Sequence, residues 1–205
     1  MTMFQHTLGI LVSPNREWQR IRNHPDTLHK VFFSHVPLLA LIPTVSAYFG
    51  VTAQGWRIGT GGVVKLTPDS ALILCVFAYF AAIASIYILG KYINWMSHSF
   101  GVVDDLSKRG YESMAMAVYS ATPVMLAGIV LLWPVLWLVV TVHMAAVCYS
   151  IYLIFHGIPI LMDIPRERGF IYGSSVITVA LVLVILVMVT TVIIWSAGMG
   201  PVYTS

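Results

Sequence analysis

Apolar residues run along this chain in five blocks, 31–53, 70–96, 112–133, 134–160 and 172–197, separated by short polar stretches. A block of about 20 apolar residues crosses a hydrocarbon core of about 30 Å as a helix, because only a helix satisfies its backbone donors and acceptors within one segment. The pattern predicts an all-α integral membrane protein with five transmembrane helices. Ahead of the first block, Phe4, Leu8, Leu11 and Val12 recur at helical spacing and lead into SPNREWQRIRN. There Ser13 can cap and Pro14 suits a first helical position, so a short amphipathic helix is expected. With Trp18 and Ile21 on one side and Arg16, Arg20 and Arg22 on the others, two placements are open. Either Arg16, Trp18, Arg20 and Arg22 form a surface for anionic lipid or a partner, or the helix packs beneath the bundle. The chain thus divides into a cytoplasmic amphipathic segment, 1–30, and a five-helix transmembrane domain, 31–205.

Composition agrees: 59% of residues are hydrophobic and 9% charged, with mean hydropathy +0.86, whereas soluble domains carry about a quarter charged residues. Sorting the 11 basic residues by loop puts nine on one side: Arg16, Arg20, Arg22 and Lys30, then Lys91, Lys108 and Arg109, then Arg166 and Arg168. Only Arg57 and Lys65 fall on the other. The positive-inside bias places the N-terminus in the cytoplasm and the C-terminus outside. Trp56, Trp133, Trp137 and Trp195 fall at the expected outer boundary, Trp95, Tyr111 and Tyr172 at the inner one. So few and scattered basic residues form no nucleic-acid stripe. Basic residues that precede a full-length apolar span argue against a cleaved signal peptide. Cys75 and Cys148 both lie in apolar blocks and read as packed small side chains, not a disulfide.

Polar residues inside the blocks carry the candidate chemistry. Tyr87, Lys91, Asn94 and His98 are spaced by four, three and four and share one helical face at the cytoplasmic end of the second span. In the fourth span Thr141, Cys148, Tyr149, Tyr152 and His156 stack along a face, with His143 deeper. His35, near the start of the first span, completes a possible ring, and Asp104, Asp105, Glu112 and Asp163 are the acids available to Lys91. Two readings follow. In one, a cytoplasm-facing polar pocket lets His35, His98 and His156 bind a metal or relay protons, as a small transporter or ion-handling protein would require. In the other, Lys91 snorkels and the histidines sit among headgroups. No HExxH, close Cys pair or acidic calcium loop specifies a metal, and Met114, Met116, Met125 and Met144 read as packing. Neither GxSxG nor GxxxxGK occurs, and nothing gives Ser174 or Ser175 a base and an oxyanion hole, so no enzyme and no cofactor are expected.

The stretch 117–140 holds Pro123 and Pro134. Pro123 frees the carbonyl of Tyr119, predicting a bend in the third span that Ser120, Thr122 or a neighbour must help satisfy. Pro134 is expected to open the fourth helix after a tight turn. Ser113, Ala117, Ala121 and Gly128 in the third span, with Ala78, Ala82 and Ser85 in the second, predict close helix contact.

SPNREWQRI, HVPLLALIPTVSAYFGVTAQGW, GKYINWM, YSATPVMLAGIVLLWPVLWL and HGIPILMDI, in that order over nearly the whole chain, resemble the Yip family of five-span membrane proteins, in its small bacterial inner-membrane branch. The resemblance implies five helices, a cytoplasmic N-terminus and no established catalysis. Its eukaryotic members are tied to Rab GTPases and to vesicle formation between endoplasmic reticulum and Golgi. The function expected is a non-enzymatic scaffold or adaptor that contacts membrane lipids, holds a protein partner at its cytoplasmic face, or associates with further copies of itself.

Overall fold

The computed structural model describes residues 3–57, 62–100 and 106–204. Seven α-helices occupy them: α1 Met3–Val12, α2 Pro14–Asn23, α3 Leu28–Phe49, α4 Pro68–Ser97, α5 Leu106–Ala127, α6 Leu136–Leu161 and α7 Arg166–Ile194. The last five are long and apolar enough to cross a membrane. They alternate in direction, so α1, α2 and the starts of α3, α5 and α7 share one end with the close of α4 and α6. This is the basic end. Asp104 and Asp105, offered above as partners for Lys91, lie outside the described residues.

Burial separates the five spans. Over its most apolar window α5 is 56% buried, against 22% for α3, 17% for α4 and α6 and none for α7, so α5 is the axis and α7 its most lipid-facing neighbour. The stripe of small residues explains why. Ser113 and Ala117 on it are wholly buried, as is Ala115 on another face of the helix, and they let neighbouring backbones approach. On α4, Gly90 lies against α5 so closely that a Cβ there would sit 2.7 Å from Met114 Sδ. Where α3 crosses the far end of α5, Gly128 abuts Pro43, whose Cα would lie 2.7 Å from an added Cβ.

Pro123 leaves α5 unbroken as far as Ala127, after which the chain tightens into a 3-10 turn, Gly128–Leu132. The hydroxyls expected to serve the carbonyl of Tyr119 are used elsewhere: Ser120 donates to the carbonyl of Ala117 at 3.3 Å and Thr122 to that of Val118 at 3.1 Å. Pro134 does not occupy the first position of α6, which starts at Leu136. It is the middle of a three-residue turn closed by Val135 N–H donating to the Trp133 carbonyl at 2.7 Å, which its fixed φ suits. Two further prolines, Pro37 and Pro43, lie inside α3, which widens into a π-turn, Gly50–Gln54, before Gly55 turns the chain at φ 80°.

At the far end a two-stranded antiparallel hairpin pairs Trp56 with Val64 and Arg57 with Val63. The C-terminal tail is tied to the same layer: Thr67 N–H donates to the Val202 carbonyl at 2.9 Å, Thr204 N–H to the Lys65 carbonyl at 3.0 Å, and Val202 N–H to Ser70 Oγ at 3.0 Å.

The amphipathic segment corrects one expectation. Trp18 is no lipid or partner surface: it is fully buried together with Ile10 and Ile21 and packs on α6, where a Cβ at Gly157 would meet its indole at 2.7 Å. Arg22 is half-buried and tied to the end of α6, pairing with exposed Asp163 at 2.7 Å and donating to the Ile160 carbonyl at 3.1 Å. Arg20 pairs with Glu17 at 3.2 Å, while Arg16 stays exposed. Burying one indole, about 150–250 Å² of mostly apolar surface, outweighs leaving it among headgroups.

Candidate functional site

The nine residues expected to ring one polar pocket are dispersed. His35 is buried between α3 and α5, its Nε2 3.4 Å from Thr122 Oγ1 and its ring edge-on to Tyr119 at 5.1 Å. Tyr87 and Lys91 point outward from α4, the ammonium 5.4 Å from the tyrosine ring centroid, beside Phe32, Phe33 and Phe80. Asn94 is half-buried and His98 is exposed on the turn that follows α4. On α6, Tyr152 and His156 are exposed with ring centroids 4.0 Å apart, whereas Tyr149 donates to the carbonyls of Ile10 at 3.2 Å and Leu11 at 2.9 Å. Asp163 is exposed, and the Arg22 guanidinium beside it holds its carboxyl below the ordinary range. The α4 stripe and the α6 stripe face different neighbours because α5 stands between them. Among the described residues no group of three or more His, Cys, Asp and Glu comes together as a metal site. Of the acids offered to Lys91, Glu112 lies 3.8 Å from Lys108 and Asp163 is taken by Arg22.

Two other places are built instead. The first is a polar centre under the α1–α2 hairpin. The Glu17 side chain, 3% exposed, accepts from His6 Nδ1 at 2.5 Å and from Arg20 at 3.2 Å. Gly9 faces it, since any Cβ there would collide with the carboxylate. Tyr119 gathers three rings around this centre, His35 at 5.1 Å, His6 at 6.1 Å and Trp18 at 6.4 Å. Beside it opens a cavity of about 390 Å³, lined by His6, His24, Asp26, Lys30, Tyr111 and Tyr119 among others. The Lys30 ammonium, 2.6 Å from Asp26, hydrogen-bonds that carboxyl and lowers its pKa.

The second place is a slot inside the membrane-spanning part. A cavity of about 390 Å³ lies between α4, α5, α6 and α7, walled by Ala82, Ala121, Ile151, Ala180 and Val184 among others. It shares Ala78, Ala82, Val124 and Met125 with a second cavity of about 390 Å³ that reaches Val51, Leu66 and His143 toward the far end. Among the described residues, none that lines either of them is Asp, Glu, Lys or Arg. From Ala71 to Leu89 the two border about 27 Å of α4, close to the thickness of a hydrocarbon core. Ala78, Ala82, Ser85 and Ala121, expected to mark close contact, border this gap: small side chains leave space wherever the opposing helix does not close in.

Glu17 is the residue sequence reasoning passed over. It stands four residues before Ile21 and three after Pro14, on the same stripe as Trp18, so a carboxylate on the apolar face was the available signal. The slot had no such signal, since an apolar side chain facing a void is patterned like one facing lipid.

Comparison with known proteins places this architecture. A family model described as the Yip1 domain matches residues 8–188. Inner membrane protein YohC of Escherichia coli K12 is 33% identical over 193 residues, covering 94% of this chain and 97% of the relative, and its counterpart in E. coli O6:H1 matches to the same extent. No solved structure matches the chain. Five spanning helices and relatives of this kind make it a multi-pass protein of the bacterial inner membrane. Matched over most of its length, from within α1 into α7, the chain belongs to the Yip1 domain family.

Proposed function

We propose that this protein is a non-enzymatic lipid-binding scaffold of the inner membrane, its N-terminus cytoplasmic, that holds a hydrocarbon chain in the slot between α4, α5, α6 and α7. The slot is the observation that carries the reading. A void of this size in a bilayer interior forfeits dispersion contacts on every wall unless something fills it, and the surrounding solvent is itself hydrocarbon. Its described lining is apolar apart from three serine hydroxyls, which suits an acyl chain and gives an ion or polar solute little to replace its hydration. Lys91, His98 and His156, on which an ion-handling role would depend, lie outside it.

The test is lipid retention. Native mass spectrometry of the protein released from nanodiscs should show one lipid kept by the wild type, and less kept by Ala82→Phe or Ala121→Phe, which fill the slot from two of its walls. Equal retention by the wild type and both variants sinks the proposal. Solute flux in proteoliposomes that depends on Lys91 or His156 would replace it with transport.

A further inference from the structure

We infer that the cavity at the basic end, under the α1–α2 hairpin, is a binding site for a phosphate-bearing anion. Four segments converge on it: His6 from α1, His24 and Asp26 from the link to α3, Lys30 and Ser34 from α3, and Tyr111 and Tyr119 from α5. The two tyrosines are 4% and 3% exposed yet line the cavity, so its floor is fixed in the core while its rim carries Lys30 and His24. A compact oxyanion fits this donor set: an ammonium from Lys30, imidazole nitrogens from His24 and His6, and hydroxyls from Ser34 and Tyr119.

The acids around the cavity have other tasks. Asp26, the carboxylate in the lining, sits 2.6 Å from Lys30 Nζ within one turn of α3 and positions that ammonium at the rim. Glu17 accepts from His6 Nδ1 and from Arg20, which leaves Nε2 as the imidazole nitrogen not engaged by that carboxylate. About 390 Å³ is more than a bare ion requires and falls within the usual range of small-ligand pockets. The rim residues, 24–34, straddle the start of the first membrane-spanning helix, which is the depth of lipid headgroups. This site is independent of the slot, because Tyr119 faces the hairpin while Ser120 and Ala121 face α4, α6 and α7.

The phosphate can belong to a lipid headgroup or to a soluble compound, and the experiment separates them. Detergent-purified full-length protein is titrated with inorganic phosphate, with dihexanoyl phosphatidylglycerol, and with dihexanoylglycerol, which lacks phosphate, while its melting temperature is followed. Saturable stabilisation by the phospholipid alone identifies a headgroup, and stabilisation by inorganic phosphate as well identifies a free anion. Lys30→Gln and His24→Gln, both at exposed positions, should melt normally without ligand and need about tenfold more of it for the same shift, the loss of one charge-assisted hydrogen bond. Tyr119→Phe keeps the ring and should weaken binding less. Absence of saturable stabilisation by either phosphate probe, titrations unchanged in both Gln variants, or equal stabilisation by dihexanoylglycerol would overturn the assignment.

Discussion

Removing His6 should cost more than removing Glu17, although the two share one contact. The Glu17 carboxylate is 3% exposed and held by His6 at 2.5 Å, with Arg20 as a second partner at 3.2 Å whose own side chain is 54% exposed. His6→Ala strands a buried anion on a guanidinium that water largely screens. Breaking a buried pair this way costs about 3–5 kcal/mol, and the Arg20 contact offsets about 1 kcal/mol at most, so about 3 kcal/mol is expected. Glu17→Ala strands only an imidazole that is 19% exposed and within reach of water, for about 1 kcal/mol. Glu17→Gln keeps an acceptor for His6 and should cost least. Hydrogen exchange of α1 and α2 amides in nanodiscs reads the local opening free energy, where a 2 kcal/mol gap is a roughly 30-fold difference in protection. Equal protection in the two alanine variants, or faster exchange in Glu17→Ala, would refute the assignment of Glu17 as a buried charge.

Trp18→Ala should destabilise by about 3–5 kcal/mol in a detergent melt, against about 0.5 kcal/mol or less for exposed Arg16→Ala; similar values for both would return the hairpin to the membrane surface. Gly128→Ala should cost about 1–3 kcal/mol, because its Cβ would press on the Pro43 backbone, and a Pro43 variant cannot rescue what the backbone blocks. The carboxyl of Asp163 lies below its ordinary value of 3.8 when folded, so its contribution is present above that value and is lost as pH falls through the folded pKa. Protease cleavage within α1–α2 should therefore increase below about pH 4 in the wild type, and be raised and less dependent on pH in Arg22→Ala.

The five spans were legible because length and hydropathy alone decide whether a segment can cross a bilayer. Relative rotation was not. In water an apolar stripe marks the buried face, but in lipid both faces of α4 or α7 are apolar, so the wall of the slot and the lipid surface read alike. Polar spacing failed for a related reason: Lys91 and His156 each sit on a coherent stripe, yet α5 separates the two helices that carry them. For α2 the two placements differed only in what covered Trp18, and the deciding partner, Gly157, lies far along the chain.

α7 is fastened near its start and, through the tail, past its end. Near its start Gly169 seats against Pro159, Gly173 against Phe155, and Tyr172 donates to the Ile93 carbonyl. Past its other end the tail is laced to the α3–α4 link. Between these moorings it borders the slot from Ile177 to Met188. On the lipid-binding reading proposed above, a guest would pass this stretch of α7 sideways from the bilayer, between moorings that hold the helix in register.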